Sequence, residues 1–557
     1  MDKNKWPLLT MRQMDSTTFN RDDILELIKI NAKYPESCDE YWLAEGYPFT
    51  AEASIQRAKE IGKISTELEK VGIIPGFQQG VTLGHGGVLH NPPKDCFLPP
   101  DDAFQVDSNG VRTEFFCPTS PYILKHEEIF AETYVREGKL SSFWLDDDLR
   151  MGFRAGPRLV CCWCDRCLAL LNEKAGTSYT REEFIERLSS DADEDNLRAI
   201  WAEFKAESLA KFAAAARRGA KRANPDIRMA YQAIASDTIV SGEDNRLILE
   251  ALSDGFRDTV GIRTGHGFYD EVNPRSHLPL KMLAAAREAE RCRAYPNWNG
   301  TIAYEQENYP HYAMEKSAEA IVKEGAIALA VGCDTLTQYW YSSAFPEPFD
   351  HYEDVAHITA AWRPYMERLS ELAKATHLGG VTRPQDEKIM IGKDNTFVSL
   401  GKFNRPRSHE ADTTLALMGI PVTITESGSK SFYKPEDVPT GQYRHADREA
   451  LLDKLDDQPG GPVCVRTGKV HPLLVYPRVD AKQRTVAVTF VNTSIGKATG
   501  IPVKIRRPLA SKAILTRPCQ DDAIIEVKPS DGDELSFTLP DLPAWEMCTV
   551  FLNKDKK

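Results

Sequence analysis

Thr301-Ile302-Ala303-Tyr304-Glu305 is a β-branched and apolar run that closes on a carboxylate. The amphipathic stretch Tyr312–Val331 follows, with Ala318, Ile321, Ala326 and Leu329 on one helical face, and then a second strand-like run, Thr335–Trp340. Strand, helix, strand reads as a parallel pair, because parallel strands need a long crossover where antiparallel ones need only a tight turn. The same alternation extends back to the start of the chain. Strands are expected at Leu8–Met14, Glu40–Glu45, Gly72–Gln79, Ser142–Asp147, Ile227–Ala233 and Val260–Thr264. Helices are expected at Ala51–Val71 and at Leu197–Arg222, the latter stopped by Asn224-Pro225. Eight strands alternating with helices predict an α/β fold, a (β/α)8 TIM barrel over residues 1–375. The interval 80–139 reads as an active-site loop inserted between strands three and four.

Beyond Thr376 the pattern changes. Short strands at Glu387–Ile391, Phe397–Leu400 and Ile420–Ile424, with a helix at Arg407–Leu417, predict a small α/β domain over 376–469. From Val470 the chain is mostly strands: Arg484–Asn492, Val503–Ile505, Ala513–Leu515, Ala523–Val527, Glu534–Leu539 and Trp545–Leu552. These predict a C-terminal antiparallel β domain over 470–557, of β-sandwich type.

The net charge of −13 does not suit a nucleic-acid partner, since it repels an anionic polymer; a neutral substrate fits it better. No apolar run reaches the ~18 residues of a membrane span. The N-terminus, Met1-Asp2-Lys3-Asn4-Lys5-Trp6-Pro7, lacks the apolar stretch of a signal peptide, so a cytoplasmic location is expected.

Four of the twelve cysteines crowd into Cys161-Cys162-Trp163-Cys164-Asp165-Arg166-Cys167. Cys162, Cys164 and Cys167 have the spacing of ligands to one soft cation, and a fourth thiolate would complete the tetrahedron of a structural zinc. Cys117 is the candidate fourth ligand, with Cys161 the alternative. A closed four-thiolate site leaves no open position for catalysis, so no cofactor is expected to take part in the chemistry.

In a (β/α)8 barrel the active site sits at the carboxyl ends of the strands. Strand four ends in Asp146-Asp147-Asp148-Leu149-Arg150, and strand seven in Tyr304-Glu305-Gln306-Glu307. Crowded carboxylates raise the pKa of at least one member, as a general acid requires, and a glutamate at a strand tip is placed to act as a nucleophile. Two carboxyl groups across a barrel mouth are what glycoside hydrolysis needs. Trp42, Trp144, Trp298, Tyr304, Trp340 and Tyr341 offer aromatic faces for sugar stacking, and Glu45, Gln79, His85, His266 and Tyr269 are polar neighbours.

Arg112 and Cys117-Pro118-Thr119-Ser120-Pro121, then Trp144-Leu145-Asp146-Asp147-Asp148, Cys162-Trp163-Cys164-Asp165-Arg166-Cys167 and Tyr304-Glu305-Gln306 resemble glycoside hydrolase family 42, the clan A β-galactosidases. The resemblance implies zinc on Cys117, Cys162, Cys164 and Cys167, Glu305 as nucleophile and Asp148 at the acid/base position. Asp146 and Asp147 stand in reserve there. It also implies sugar contacts from His351 and a homotrimer built through the middle domain. Where the family carries Asn-Glu, this chain has Asp147-Asp148, whose carboxyl is one methylene shorter. The expected activity is retaining exo-hydrolysis of a β-linked oligosaccharide or glycoside, β-galactosidase-like or β-mannosidase-like. Arg112 and Arg150 would orient carboxylates or hydroxyls, and Trp42, His266, Trp298, Tyr304, Trp340 and His351 would bind sugar. Two other readings stay open: a degenerate carbohydrate-binding barrel, and a metal-dependent hydrolase with the three aspartates as ligands.

Overall fold

A computed structural model describes residues 5–12, 21–84, 92–151, 161–190, 196–233, 242, 244–264, 267, 271, 274–308, 312–341, 347–382, 389–391, 397–400, 410–423, 432–439, 441, 444–458, 463–468, 471–530 and 533–553. Eight parallel strands close into a barrel: β1 (Leu9–Arg12), β2 (Glu40–Glu45), β3 (Ile74–Gln79), β4 (Ser142–Leu145), β5 (Arg228–Gln232), β6 (Val260–Thr264), β7 (Gly300–Glu307) and β8 (Thr335–Tyr339). Neighbours in the ring follow chain order, and β8 pairs back onto β1 through Leu9 opposite Leu336. The eight expected barrel strands therefore all form, each within a few residues of its reading, whereas the strand expected at Ile420–Ile424 is reduced, among the described residues, to a single bridge between Val422 and Val381.

Helices sheathe the barrel: α1 (Arg21–Lys33), α2 (Ala51–Lys70), α3 (Pro121–Gly138), α4 (Asp165–Ala175), α5 (Arg181–Ser189), α6 (Leu197–Ala223), α7 (Asn245–Ser253), α8 (Pro274–Arg293), α9 (Ala318–Val331) and α10 (Phe349–Ala375). Their ends follow local chemistry. Thr50 accepts from Ala53 N at the start of α2, and Ser317 accepts from Ala320 N at the start of α9. The helix expected from Tyr312 thus begins only after Ser317.

The interval 80–139 is corrected. It carries a two-stranded hairpin, Phe104–Val106 with Arg112–Phe116, and then α3, which buries Ile123, Phe130, Ala131, Tyr134 and Val135 between α2 and α6. Pro121 sits in the first turn of α3, where its missing N–H costs nothing.

The lower half of the barrel is a plug. Trp42 and Trp144 meet with centroids 4.2 Å apart and planes inclined at 38°, and pack with Ala230 and Ala303. Gly76 and Gly261 leave them room: a Cβ at Gly76 would lie 2.6 Å from Trp42, and one at Gly261 3.0 Å from Trp144. Beneath, Glu40 accepts from Trp42 Nε1 (2.7 Å) and Ser142 Oγ (2.5 Å) and pairs with Arg228 (2.5 Å).

The C-terminal region holds two antiparallel sheets. Six strands run in the order His377–Leu378, Leu473–Val479, Thr485–Asn492, Met547–Asn553, Lys512–Thr516, Ala523–Ile525. Four run in the order Val465–Thr467, Ile501–Arg506, Glu534–Leu539, Lys528–Ser530. Val475, Val488, Phe490, Val503, Ile505, Phe537 and Val550 form their common core. The sheets draw His377–Leu378 and Val465–Thr467 from the segment 376–469.

Leu473–Val479 escapes the sequence reading because every residue in it is buried, so it shows no alternation. From this strand Arg478 passes into the barrel's helical layer. Its guanidinium donates to Val331 O (3.0 Å), Ala373 O (3.1 Å), Thr376 O and Thr376 Oγ1 (3.0 Å), closing the open carbonyl ends of α9 and α10. Replacing Arg478 by Ala strands those buried acceptors. We expect a loss on the order of 3 kcal/mol or more, read as a lower urea midpoint for the transition that separates barrel and sandwich.

Candidate active site at the carboxyl ends of the barrel strands

Above the tryptophan plug the inward residues turn polar. Arg12 ends β1, Arg263 is the penultimate residue of β6, and Glu305 lies near the end of β7. Glu305 Oε1 accepts from Arg12 Nη1 (2.8 Å) and pairs with Arg263 Nη1 (2.6 Å). Its Oε2 has no hydrogen-bond partner among the described residues. Gln78 holds Arg12 Nε (2.9 Å), Gln232 holds Arg263 Nη1 (2.5 Å), and the Tyr339 ring centroid lies 5.3 Å from the Arg12 guanidinium.

The same Arg263 reaches the end of β4 and meets Asp147 Oδ2 through Nη2 (3.4 Å). One guanidinium therefore spans the strand-seven glutamate and the strand-four aspartates. The three aspartates have carboxylate oxygens within 4.8 Å of one another, yet their settings differ. Asp148 is fully buried and paired with Arg150 (3.1 Å). Asp147 is partly exposed against Arg263. Asp146 is buried, and its Oδ1 has no partner among the described residues.

Burial pushes the Asp146 carboxyl up to about 7; Asp147 and Asp148 add to the rise, while Arg12 and Arg263 oppose it. Burial also pushes Glu305 up to about 7, helped by Glu307 and Asp147 and opposed by Arg263 and Arg12. Arg150 and Arg263 already compensate two of the three aspartates, which disfavours a catalytic divalent cation there.

Four sugar-site expectations are corrected. Trp42 lies in the plug, fully buried beneath the carboxylates. The Tyr304 side chain points out of the barrel, because alternation sends it to the opposite face from Glu305; its hydroxyl donates to Glu324 of α9 (2.6 Å). Trp298 precedes β7 and packs on Phe256 and Tyr295 at the closed end. Arg112 sits on the hairpin, paired with Asp101 (3.4 Å) and stacked over Phe104.

Trp340 follows β8 and packs on Tyr341 and Tyr352, with its Nε1 unpartnered among the described residues. His351 is half-buried in the first turn of α10 beside Tyr352, and burial lowers its pKa. Glu45 and Gln79 are committed elsewhere, to Arg57 (2.5 Å) and Glu127 (2.8 Å). His85, His266 and Tyr269 lie outside the described residues. Arg12 and Arg263 were missed by the sequence reading; the available signal was an arginine inside an otherwise uncharged barrel strand.

The fold is one that glycosidases use. The chain superimposes on a β-galactosidase from Bacillus circulans sp. alkalophilus (TM-score 0.61, 12% identity, 98% of this chain and 99% of that one). It also matches α-L-fucosidase isoenzyme 2 from Paenibacillus thiaminolyticus (TM-score 0.58, 12% identity, 98% and 100%). A GH42 β-galactosidase from G. stearothermophilus gives a TM-score of 0.56 at 11% identity, covering 98% of each chain. No family model and no curated protein matches the sequence. At these identities the likeness establishes the fold. Among the described residues, no helix is long and apolar enough to cross a membrane.

The four cysteines converge on one point. Cys117 Sγ lies 3.6 Å from Cys162, 3.9 Å from Cys164 and 3.5 Å from Cys167. A tetrahedron of ~2.3 Å zinc–sulfur bonds has edges of about 3.8 Å, so the set fits zinc. Cys161 stands outside the group and contacts the Cys162 carbonyl, which favours Cys117 as the fourth ligand.

The raised Asp146 carboxyl has a signed consequence. Its folded-state pKa lies above the unfolded value of ~3.9, so the folded protein loses stability relative to the unfolded chain as pH rises towards 7. Asp146→Asn removes that ionisation. The thermal midpoint of the variant should gain on wild type between pH 5 and pH 7, by an equivalent of roughly 2–3 kcal/mol. A constant difference across that window would place the Asp146 ionisation elsewhere.

Proposed function

We propose that this chain is a glycoside hydrolase, a retaining exo-glycosidase acting on β-linked glycosides, with Glu305 as nucleophile. The observation that carries the reading is the Arg263 guanidinium held between Glu305 on β7 and Asp147 beside β4. It brings carboxyl groups from opposite sides of the barrel to one mouth, as a two-carboxylate mechanism requires. With Oε1 held by Arg12 and Arg263, Oε2 is the oxygen left to attack an anomeric carbon.

Asp148 is the positional match to the family's acid/base, but its carboxyl is already engaged by Arg150 (3.1 Å). Asp146 fits proton donation better, with a carboxyl raised to about 7 and an uncommitted Oδ1. In the proposed sequence Oε2 forms a glycosyl ester while Asp146 protonates the departing oxygen. Water then breaks the ester, and the Asp146 carboxylate takes its proton. Trp340 and His351 are the proposed sugar contacts, and the homotrimer implied by the resemblance belongs to the same proposal.

Glu305→Gln should lower turnover of aryl β-glycosides by roughly 10³-fold or more. Asp146→Asn should cost ~10²–10⁴-fold on alkyl glycosides, whose leaving oxygen needs a proton, and much less on dinitrophenyl glycosides, whose leaving group does not. Near-normal turnover in Glu305→Gln would remove the nucleophile assignment. Calorimetric sugar binding without turnover on any glycoside would favour the degenerate carbohydrate-binding barrel.

Cys117, Cys162, Cys164 and Cys167 are proposed to hold one structural zinc, which when bound would fasten the hairpin to α4 and do no chemistry. Elemental analysis should give one zinc per chain, and Cys164→Ser should lower both the zinc content and the thermal midpoint. A chelator should act slowly, with loss of activity following loss of structure. Immediate loss of activity with the fold intact would point to a catalytic metal.

A further inference from the structure

A cavity of about 330 Å³ lies where α8 and α9 of the barrel meet the C-terminal sandwich. Trp545, Leu278, Ile327 and Val491 give it an apolar wall. Glu271, Glu319 and Lys323 line it as well, with Glu271 and Glu319 exposed at its rim. Trp545 holds a left-handed backbone (φ 56°), a conformation that costs free energy for any residue with a β-carbon. That backbone sets a half-buried indole beside the cavity.

The charges are already assigned. Lys323 is shared between Glu319 (3.0 Å) and Glu546 (2.9 Å), and Glu271 accepts from Ser317 Oγ (2.7 Å) and Ser317 N (3.0 Å). The rim therefore keeps surplus acceptors and a surplus of negative charge, and it disfavours anions. An aromatic platform with carboxylate acceptors at its edge suits a neutral ring that has one C–H face and a girdle of hydroxyls. The volume falls within the ~300–1,000 Å³ of small-molecule sites.

We propose that this seam is a second carbohydrate site, separate from the barrel mouth, that binds a single neutral pyranose against Trp545. Its inner wall includes Glu324, whose Oε1 accepts from Tyr304 and whose Oε2 pairs with Lys316. Tyr304 directly precedes Glu305 on β7. A bound sugar thus rests on the network that fixes the nucleophile's strand from behind.

The site does not depend on the hydrolase reading, and calorimetry can separate the two. D-galactose, D-glucose and L-fucose are titrated into the full-length chain, with D-glucuronate as the charged control. Trp545→Ala removes the platform, and Ala320→Arg fills the cavity from α9 should the first variant fail to fold. We expect one saturable millimolar-range equivalent of a neutral sugar that weakens at least tenfold in both variants and persists in Glu305→Gln. Turnover by Trp545→Ala should survive, because its side chain is remote from the mouth. The proposal is overturned if no neutral pyranose binds the wild type, if both folded variants bind as the wild type does, or if glucuronate binds as tightly. A barrel mouth without sugar affinity would remove a second equivalent and leave the seam equivalent in place.

Discussion

Two buried guanidiniums on one oxygen of a buried carboxylate organise the mouth of this barrel. Arg12 and Arg263 both engage Glu305 Oε1. Burying three charges is expensive, and an apolar cluster of the same shape would stabilise the barrel as well or better. The interaction makes physical sense as positioning. It holds the carboxylate in one orientation, leaves Oε2 uncommitted, and through Arg263 ties β7 to the end of β4. The tryptophan plug beneath supplies the rigid floor on which this polar layer stands.

The three consecutive aspartates show how environment separates chemically identical groups. Asp148 is given a cation, Asp147 keeps partial exposure against Arg263, and Asp146 is left buried with one oxygen unpartnered. Desolvation and like-charge repulsion then raise Asp146 while its neighbour Asp148 is compensated.

The cysteine tetrad joins two segments of the chain. Cys117 ends the hairpin, Cys162 and Cys164 precede α4, and Cys167 lies within it. Asp146–Asp148 leave β4 only a short distance earlier in the chain. At the opposite flank Arg478 closes the ends of α9 and α10, so the sandwich braces the half of the barrel that carries β7 and β8.

Much of this was determined locally, by the chain alone. Strand–helix alternation specified the eight parallel strands, because periodicity and crossover length are short-range properties. The grouping of Cys162, Cys164 and Cys167 was legible from their spacing, with Cys117 as the candidate fourth, and Glu305 from its position at a strand tip. Other features depended on contacts between distant segments. Tyr304 and Glu305 are adjacent in sequence and face opposite sides of the sheet, which only the barrel's inside and outside could decide. Arg12 and Arg263 stand 251 positions apart and meet through closure of the ring, and the pairing of Asp148 with Arg150 sets it apart from two identical neighbours. Leu473–Val479 and α3 were hidden because burial on both faces erases alternation and a helix-starting proline resembles a stop. Short-range patterning determines which elements form; the electrostatics of the site are decided only when strands from opposite sides of the barrel share one desolvated space.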